Sequence, residues 1–191
     1  MTMEQNFGAI NTKIGWIGVQ WHAKDGIQRI HIGYSSKAAL LVALAVPENA
    51  RITSLPIEME QAFQDYAHGK PVQFNALKLD WRGLTDFQCK VLQRCRRIPY
   101  GRTMTYAELA REVGSPHAYR AVGSVMARNP YPLVVPCHRV LATNGGLGGF
   151  SAPQGVQLKA RLLEMENQTH AKSSFMKSGS KRHGKPITSA V

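Results

Sequence analysis

The segment Pro136-Cys137-His138-Arg139 places a potential nucleophile beside a potential base. Cysteine reacts as its thiolate, and a neighbouring histidine or arginine favours that form of the side chain. The apolar run Tyr131–Val135 comes immediately before this segment, which predicts that Cys137 is buried or lies at the base of a cleft. These residues leave two interpretations open. Cys137 is either a catalytic nucleophile that works with His138, or a structural cysteine in a strand that happens to precede a histidine.

The remaining cysteines show no pattern that points to chemistry. The chain has 3 cysteines and 7 histidines, and the cysteines form no CxxC pair, which argues against a disulfide framework and against a zinc site. Cys95 falls on an apolar helical stripe and is predicted to lie in the core, whereas Cys89 falls off the stripe and is predicted to be partly exposed. We therefore expect reduced thiols, no bound metal and no cofactor.

Two short helices are predicted in front of the Cys137 segment. A capping box at Thr105 starts the first helix and Gly114 ends it, while Ser115 and Pro116 begin the second as its N-cap and first residue. Two helices joined by a tight turn with glycine predict a helix-turn-helix, although an ordinary helical hairpin fits the same spacing. Arg120 and a face of small residues on the second helix suit a DNA groove, and such a face also suits close helix packing. The small residues are Ala118, Ala121, Gly123 and Ser124.

The charge of the chain favours an acidic partner. The formal net charge is +12, and a basic surface of this kind points to nucleic acid. Residues 171–191 contain lysine and arginine but no acid, yet the rest of the chain is also basic without them. No apolar run of about 18 residues or more, and no signal-peptide pattern, is present in the sequence. We expect a cytoplasmic, nucleoid-associated protein, or a nuclear one in a eukaryote.

The two halves of the chain are predicted to fold differently. Residues 1–80 are predicted to form an α/β domain, a small sheet with helices, after a loose lead-in over residues 1–13. Residues 81–170 are predicted to form a mainly α domain with a winged-helix-like helix-turn-helix, and residues 171–191 a disordered basic tail. The predicted strands are Ile14–Gln20, Ile27–Tyr34 and Val72–Leu79, and the predicted helices are Lys37–Val46, Leu55–His68, Thr85–Ile98 and Gly155–Glu166. The last helix is predicted to turn inward Val156, Leu162 and Leu163.

The run Pro136-Cys137-His138-Arg139-Val140 resembles the active-site signature of the O6-alkylguanine-DNA alkyltransferases. Other matches occur at the spacing of that family, namely Arg120-Ala121-Val122-Gly123, Asn129-Pro130, Tyr106, the glycine-rich loop that ends at Ser151, and Glu166. The resemblance covers Leu84–Glu166, whereas the first 80 residues resemble the N-terminal domain of the family only in layout. That half lacks the cysteines that bind zinc in some relatives, which again predicts no zinc.

The resemblance implies a role for each matched residue of the reaction centre. Cys137 would be the nucleophile and alkyl acceptor, His138 its general base acting through a water molecule, and Glu166 the group that orients His138. Tyr106 would donate a hydrogen bond to N3 of the guanine leaving group. Asn129 would brace the turn near Cys137.

The resemblance also implies how the damaged base is held. Ser151 would donate to O6, and the backbone carbonyls of Cys137 and Val140 would accept from the exocyclic amino group. Arg120 would fill the gap that a flipped base leaves in the stack, with the small face of its helix in the minor groove. The implied alkylguanine pocket is lined by Tyr106, Met126, Val140, Phe150 and Ser151. The implied DNA contacts are Ala118, Arg120, Ala121, Gly123 and Arg128.

The function that the resemblance implies is DNA repair by irreversible transfer of an alkyl group from O6-alkylguanine to Cys137, with O4-alkylthymine as a further candidate substrate. Because nothing in the chain suggests a way to remove the thioether, each molecule would act once. The expected partner is double-stranded DNA that contains alkylated guanine, and a monomer without membrane attachment is expected. Ala152-Pro153 departs from the small glycines common in relatives and would stiffen the loop over the pocket.

Three other functions compete with this one. A non-enzymatic DNA binder, either a regulator or a damage sensor, is disfavoured because such sensors usually carry Trp in place of the active cysteine. A cysteine hydrolase is disfavoured because the side chains of a cysteine and a histidine that are adjacent in sequence, such as Cys137 and His138, rarely contact each other. In addition, no separate catalytic Asn or Asp stands out. A structural cysteine in a nucleic-acid-binding fold would be distinguished by slow labelling of the Cys137 thiol.

Overall fold

The computed structural model describes the backbone of residues 5–179 and the side chains of residues 5–169. Its N-terminal half is built on a four-stranded sheet of order β3-β2-β1-β4. The strands are β1 (Gln5–Thr12), β2 (Gly15–His22), β3 (Gly26–Tyr34) and β4 (Ile52–Thr53). The first three are antiparallel neighbours and β4 pairs with β1 in parallel, so the two strands predicted around the Asp25-Gly26 turn are confirmed.

The loose lead-in predicted over residues 1–13 is wrong, because β1 occupies most of it. This strand pairs with β2 along its whole length, and its Phe7 and Ile10 side chains are buried. Gly8 interrupts the apolar pattern between them for a steric reason. A Cβ at Gly8 would lie 2.6 Å from Cδ2 of Leu55 and 3.0 Å from the Thr53 carbonyl oxygen, so a larger residue here would require these neighbours to shift.

Helices cover both faces of the sheet. Helix α1 (Lys37–Ala43) packs over β2 at Gly18, where a Cβ would lie 2.5 Å from Cδ1 of Leu44. The neighbouring Ile17 points to the other face, since strand side chains alternate. There it joins a continuous core that includes Phe63 of helix α2 (Ile57–Ala67) and apolar side chains of the C-terminal half. The division into domains at residues 80 and 81 stays a prediction.

The strand predicted at Val72–Leu79 is wrong. Residues Phe74–Ala76 form a single 3-10 turn, and only an isolated bridge joins Leu79 to Ile27. The Arg96 guanidinium donates to the carbonyls of Phe74 and Leu77 at 2.8 and 2.7 Å. Those carbonyls are therefore satisfied by a side chain instead of by a neighbouring strand.

The C-terminal half is mainly helical, as predicted. Its first helices are α3 (Asp86–Arg96), α4 (Tyr106–Glu112) and α5 (Tyr119–Ala127). Both predicted capping boxes are confirmed, with Thr85 and Thr105 as the N-caps. The predicted start of the next helix at Ser115 and Pro116 is too early. The Ala118 N–H donates to the Ser115 carbonyl at 2.9 Å, which makes this segment the turn between α4 and α5.

A short parallel ribbon connects the helix pair to the Cys137 segment. Its strands are β5 (Met104–Thr105) and β6 (Val140–Leu141), with Met104 opposite Val140. Because α4 begins directly after β5, and β6 directly follows the segment that contains Cys137, the ribbon fixes Tyr106 beside that segment.

The last helix, α6, runs over Gly155–Gly179, so its predicted end near Asn167 is too early. Leu162 is buried as predicted and Leu163 is half-buried, whereas Val156 is 43% exposed and its predicted inward position is wrong. The part of the predicted basic tail at residues 180–191 lies outside the described residues. No helix within residues 5–179 is long and apolar enough to cross a membrane.

Candidate active site

Cys137 lies in a 3-10 turn, Cys137–Arg139, that follows the buried apolar segment and precedes β6. Its side chain is 6% exposed, which agrees with the burial predicted from the sequence. Asn129 holds the segment in place from both sides: its Nδ2 donates to the Val135 carbonyl at 2.8 Å, and its Oδ1 accepts from the Tyr131 N–H at 3.0 Å. Leu133, buried between these two anchors, adopts a left-handed φ of 71°, a conformation that non-glycine residues keep only when their surroundings impose it.

Next to Cys137, four buried polar side chains form what we term the relay cluster: Tyr66, His138, Arg139 and Glu166. His138 Nε2 lies 2.9 Å from Glu166 Oε1, so the pairing implied by the family resemblance is present. Arg139 donates through Nη2 to Oε1 at 2.9 Å and through Nε to Oε2 at 2.9 Å. The Gly101 N–H completes the carboxylate's partners, donating to Oε2 at 3.0 Å.

Glu166 is ionised although it is buried. Burial by itself would raise the pKa of Glu166, but the hydrogen bonds and charges of His138 and Arg139 outweigh it and hold the pKa at about 2. A bidentate arginine pair of this kind balances the carboxylate charge inside the protein. The carboxylate is therefore a fixed acceptor for the imidazole, and its negative charge is largely compensated.

His138 is neutral and presents one free nitrogen. Burial lowers the pKa of His138, and the opposing effect of Glu166 is smaller. Nε2 faces the carboxylate, which places the single proton of the neutral ring on Nε2. Nδ1 is buried and has no hydrogen-bond partner among the described residues, so it carries a lone pair that can accept a proton.

The cation that acts on Cys137 is Lys159 and not Arg139. Burial raises the pKa of the Cys137 thiol, and a hydrogen bond from Asn129 and the charge of Lys159 partly offset this. The Lys159 side chain has no exposed surface, and its Nζ donates to the Val140 carbonyl at 2.7 Å. The sequence-based expectation that Arg139 favours the thiolate is therefore wrong, because its guanidinium is bound to Glu166.

Cys137 opens into a cavity of about 250 Å³. This volume lies slightly below the range of about 300–1,000 Å³ that is usual for ligand pockets. The C-terminal half lines it with Met126, Phe150 and Ser151, three of the five residues predicted for this pocket. Its opposite wall is strand β3, which the sequence did not indicate. That wall includes Arg29, Ile30, His31, Ile32 and Tyr34.

Two predicted pocket residues, Tyr106 and Val140, lie outside the lining of this cavity. Tyr106 is half-buried, and burial together with the nearby Cys137 raises the pKa of its phenol. The glycine-rich loop crosses it closely: a Cβ at Gly148 would lie 2.9 Å from the Tyr106 hydroxyl, and Gly148 has a φ of +67°. The Ser151 hydroxyl, which was predicted to bind O6, donates here to the Ala127 carbonyl.

The predicted DNA contacts share the outer face of α5 and its ends. Val122, Val125 and Met126 turn into the core, while Arg120 and Ala121 are exposed. A Cβ at Gly123 would meet nothing within 4 Å, so packing within the described chain does not require glycine at this helical position. Arg128 is exposed and also lines the cavity of Cys137. Among the described residues, no group of three His, Cys, Asp or Glu side chains is placed to hold a metal ion.

The chain is similar in sequence and in structure to methylated-DNA–protein-cysteine methyltransferases. A sequence model of the protein family described as the 6-O-methylguanine DNA methyltransferase DNA-binding domain matches residues 86–168. A methylated-DNA–protein-cysteine methyltransferase of Methanothermobacter thermautotrophicus is 37% identical over 154 residues, which cover 78% of each chain. The constitutive enzyme of that name from Bacillus subtilis is 45% identical over 109 residues, 57% of this chain and 64% of its own. The crystal structure of Mycobacterium tuberculosis OGT in complex with DNA superposes with a TM-score of 0.68 at 30% identity, covering 85% of this chain and 93% of that chain.

Proposed function

The chain belongs to the methylated-DNA–protein-cysteine methyltransferase family and is an O6-methylguanine-DNA methyltransferase that binds damaged DNA, and we propose that Cys137 is its alkyl acceptor. The observation that carries this assignment is a buried cysteine followed directly in the chain by a buried histidine whose pKa is lowered by burial. Glu166 holds His138 at Nε2, and Nδ1 has no hydrogen-bond partner within the part of the chain that the structure describes. Such a base can take the thiol proton at the moment of attack, so burial of the thiol does not prevent reaction.

The reaction exchanges one bond for another. The sulfur of Cys137 attacks the alkyl carbon on O6, the S–C bond forms, and the C–O6 bond breaks with its electron pair moving to guanine. The thiol proton passes to Nδ1 of His138, through one water molecule. Tyr106, whose raised pKa keeps it protonated, stabilises the guanine anion by donating a hydrogen bond. The proton taken up by His138 then passes through solvent to the guanine, so the products are neutral guanine and a thioether. The thioether product is stable, so each molecule reacts once.

The damaged nucleotide must leave the duplex to reach Cys137, which is 6% exposed. Enzymes that act on a base inside a helix flip it into a pocket, and the cavity between β3 and the Cys137 segment is the place for it. In this proposal double-stranded DNA lies along α5, Arg120 enters the gap in the stack, and Arg128 at the cavity edge holds the backbone of the flipped nucleotide. A monomer is sufficient for this arrangement.

The direct test is intact-protein mass spectrometry after mixing with a duplex that contains O6-methylguanine. The expected result is a gain of one CH2 unit per chain, located on Cys137 by peptide mapping and never exceeding one per molecule. Tight binding without any mass gain would instead indicate a damage sensor. Repeated release of methylated product without modification of the protein would contradict the acceptor role of Cys137.

Gly123 allows a sharp test of the DNA-facing helix. Because its Cβ would meet nothing within 4 Å, Gly123→Leu is expected to leave the melting temperature unchanged or higher, since glycine costs a helix about 1 kcal/mol relative to alanine. The larger side chain is expected to hold the helix away from the groove and weaken DNA binding at least tenfold in fluorescence anisotropy. Gly123→Ala serves as the control, and its DNA affinity is expected to lie between that of the wild type and that of Gly123→Leu. Unchanged affinity of the leucine variant would remove α5 from the DNA interface.

The transfer rate should show a plateau in pH, because the reactive state combines a neutral His138 with a thiol. Burial lowers the pKa of His138 from 6.5 and raises that of Cys137 from 9.0. His138 is therefore mainly neutral at pH 7 and becomes protonated only as the pH falls through a value below 6.5. Single-turnover rates on O6-methylguanine DNA should be flat from about pH 7 to 8.5 and fall in more acidic buffer. A tenfold loss between pH 8 and 7 would indicate attack by a pre-formed thiolate without a base.

A further inference from the structure

Tyr66 connects the N-terminal half to the relay cluster. It lies near the end of α2 with no exposed surface. Its hydroxyl donates to Glu166 Oε1 at 2.7 Å and lies 3.1 Å from His138 Nε2. The ring is held on several sides, edge-on to Tyr100 at 6.1 Å between centroids and against Phe74 at 5.8 Å. The position of the hydroxyl is therefore fixed by packing.

The direction of these hydrogen bonds follows from the charges. Burial and the adjacent Glu166 charge hold the pKa of Tyr66 well above its ordinary value, so the phenol keeps its proton. That proton is given to the ionised carboxylate, which is the stronger acceptor. The phenol oxygen then offers a lone pair to Nε2 of His138, so that Nε2 faces two acceptors, Tyr66 and Glu166.

Two acceptors at one nitrogen decide which nitrogen carries the proton. A neutral imidazole has a single N–H, and two oxygens at Nε2 stabilise the tautomer with the proton there. Glu166 alone is a weaker determinant, because Arg139 balances its charge and donates to the same Oε1 at 2.9 Å. The second acceptor also restricts rotation of the ring, which sets the direction of the Nδ1 lone pair.

We propose that Tyr66 is a positioning residue for alkyl transfer, which fixes the tautomer and orientation of His138 so that Nδ1 receives the Cys137 proton. This inference rests on the proposed role of Cys137 and His138. Through Tyr66, the N-terminal half would take part in the reaction indirectly, because this side chain contacts the general base His138 and not the damaged guanine. Glu166 and Tyr66 together then fix the tautomer and orientation of His138, a role that a single carboxylate has in simpler relays.

The test is Tyr66→Phe, which removes one oxygen and keeps the ring that packs in the core. Glu166 retains its bonds from Arg139, His138 and Gly101, so the fold should persist. Tyr100→Phe is the matched control, because it also removes one tyrosine hydroxyl, whose bond goes to the Gly69 carbonyl at 3.0 Å outside the relay cluster. Melting curves of both variants set an assay temperature at which each is folded.

Two readouts separate positioning from general structure. Single-turnover transfer to Tyr66→Phe should be about fivefold to twentyfold slower than to the wild type, the size expected for one lost hydrogen bond in the transition state. DNA affinity should be unchanged, and Tyr100→Phe should react within twofold of the wild type. Nitrogen-15 NMR of the ring, assigned with a His138→Gln spectrum, should show the Nε2–H tautomer in the wild type and a detectable Nδ1–H population in Tyr66→Phe.

The outcomes distinguish this inference from the function on which it rests. A wild-type protein that gains no methyl group on Cys137 would overturn the proposed acceptor, and the NMR comparison would still decide whether Tyr66 sets the tautomer. If the wild type reacts but Tyr66→Phe reacts equally fast, or if its His138 tautomer is unchanged, Tyr66 is a packing residue only.

Discussion

Replacing Cys137 with serine is expected to abolish alkyl transfer and leave binding to O6-methylguanine DNA intact. The two side chains have nearly the same shape, and Cys137 is 6% exposed, so serine fits the site without repacking. A serine hydroxyl is a far weaker nucleophile toward an alkyl carbon, and His138, whose pKa is lowered by burial, is too weak a base to ionise it. Loss of a nucleophile in relays of this kind lowers the rate by a factor on the order of 10⁴ to 10⁶.

The other two cysteines provide the control for this experiment. Cys89 is partly exposed on α3 and Cys95 is buried, and burial raises the pKa of Cys95 well above its ordinary value. Cys89→Ser is expected to accept one methyl group at the wild-type rate, measured by quenched-flow mixing and intact mass. A methyl group found on Cys89, or residual transfer by Cys137→Ser above background, would contradict the assignment of Cys137.

The sequence features that predict structure correctly are short-range ones. The capping boxes at Thr85 and Thr105 join residues three positions apart, and both are formed in the structure. Such pairs satisfy helix N–H groups locally and do not depend on the rest of the fold. The burial of Cys137 follows in the same way from the apolar residues directly before it. The family resemblance covers this same half, where the spacing of matched residues is kept.

The residues that the sequence did not indicate are brought together by long-range contacts. Tyr66 is 72 residues from His138 and 100 residues from Glu166 along the chain, and nothing near it in the sequence points to chemistry. The β3 side chains that line the cavity are likewise brought near Cys137 by contacts between segments far apart in the sequence. Lys159 is different, since it lies on the same face of α6 as the buried Leu162 and Glu166. Because Lys159 lies at helical spacing from buried residues of the same helix, its burial could have been predicted from the sequence.

Arg139 shows why neighbours in sequence are a poor guide to neighbours in a site. In a 3-10 turn three residues complete one revolution, so Cys137, His138 and Arg139 project in three different directions. The adjacent arginine is thereby carried away from the thiol and toward Glu166. The thiol receives its positive neighbour, Lys159, from a helix that begins 18 residues after Cys137. The expectation that the neighbouring side chains favour the thiolate is therefore not met, because burial raises the pKa of Cys137 even with Lys159 beside it.

The second large effect is expected for Glu166→Gln, which should destabilise the fold as well as slow the reaction. Glutamine keeps the size of the side chain but removes the charge that pairs with Arg139, which is 6% exposed. Breaking a buried pair by removing one partner typically costs about 3–5 kcal/mol, because the remaining charge is left uncompensated. That loss is a large part of the roughly 5–15 kcal/mol by which domains are stable. The urea midpoint of Glu166→Gln should therefore be much lower than that of the wild type. Glu164→Gln, which changes an exposed position on the same helix, is the control, and its midpoint should be close to that of the wild type.

The pH dependence of unfolding provides an independent check on the same pair. Glu166 has a pKa of about 2 in the folded protein, lowered from 4.5. A depressed carboxyl pKa contributes stability that is present above the unfolded value and is lost as the pH falls toward the folded one. The wild type should thus lose about 3 kcal/mol from this group between roughly pH 5 and pH 2, and Glu166→Gln should lack that component. Equal acid sensitivity of the two proteins would show that Glu166 is not ionised in the folded state, and would remove the fixed acceptor on which the orientation of His138 depends.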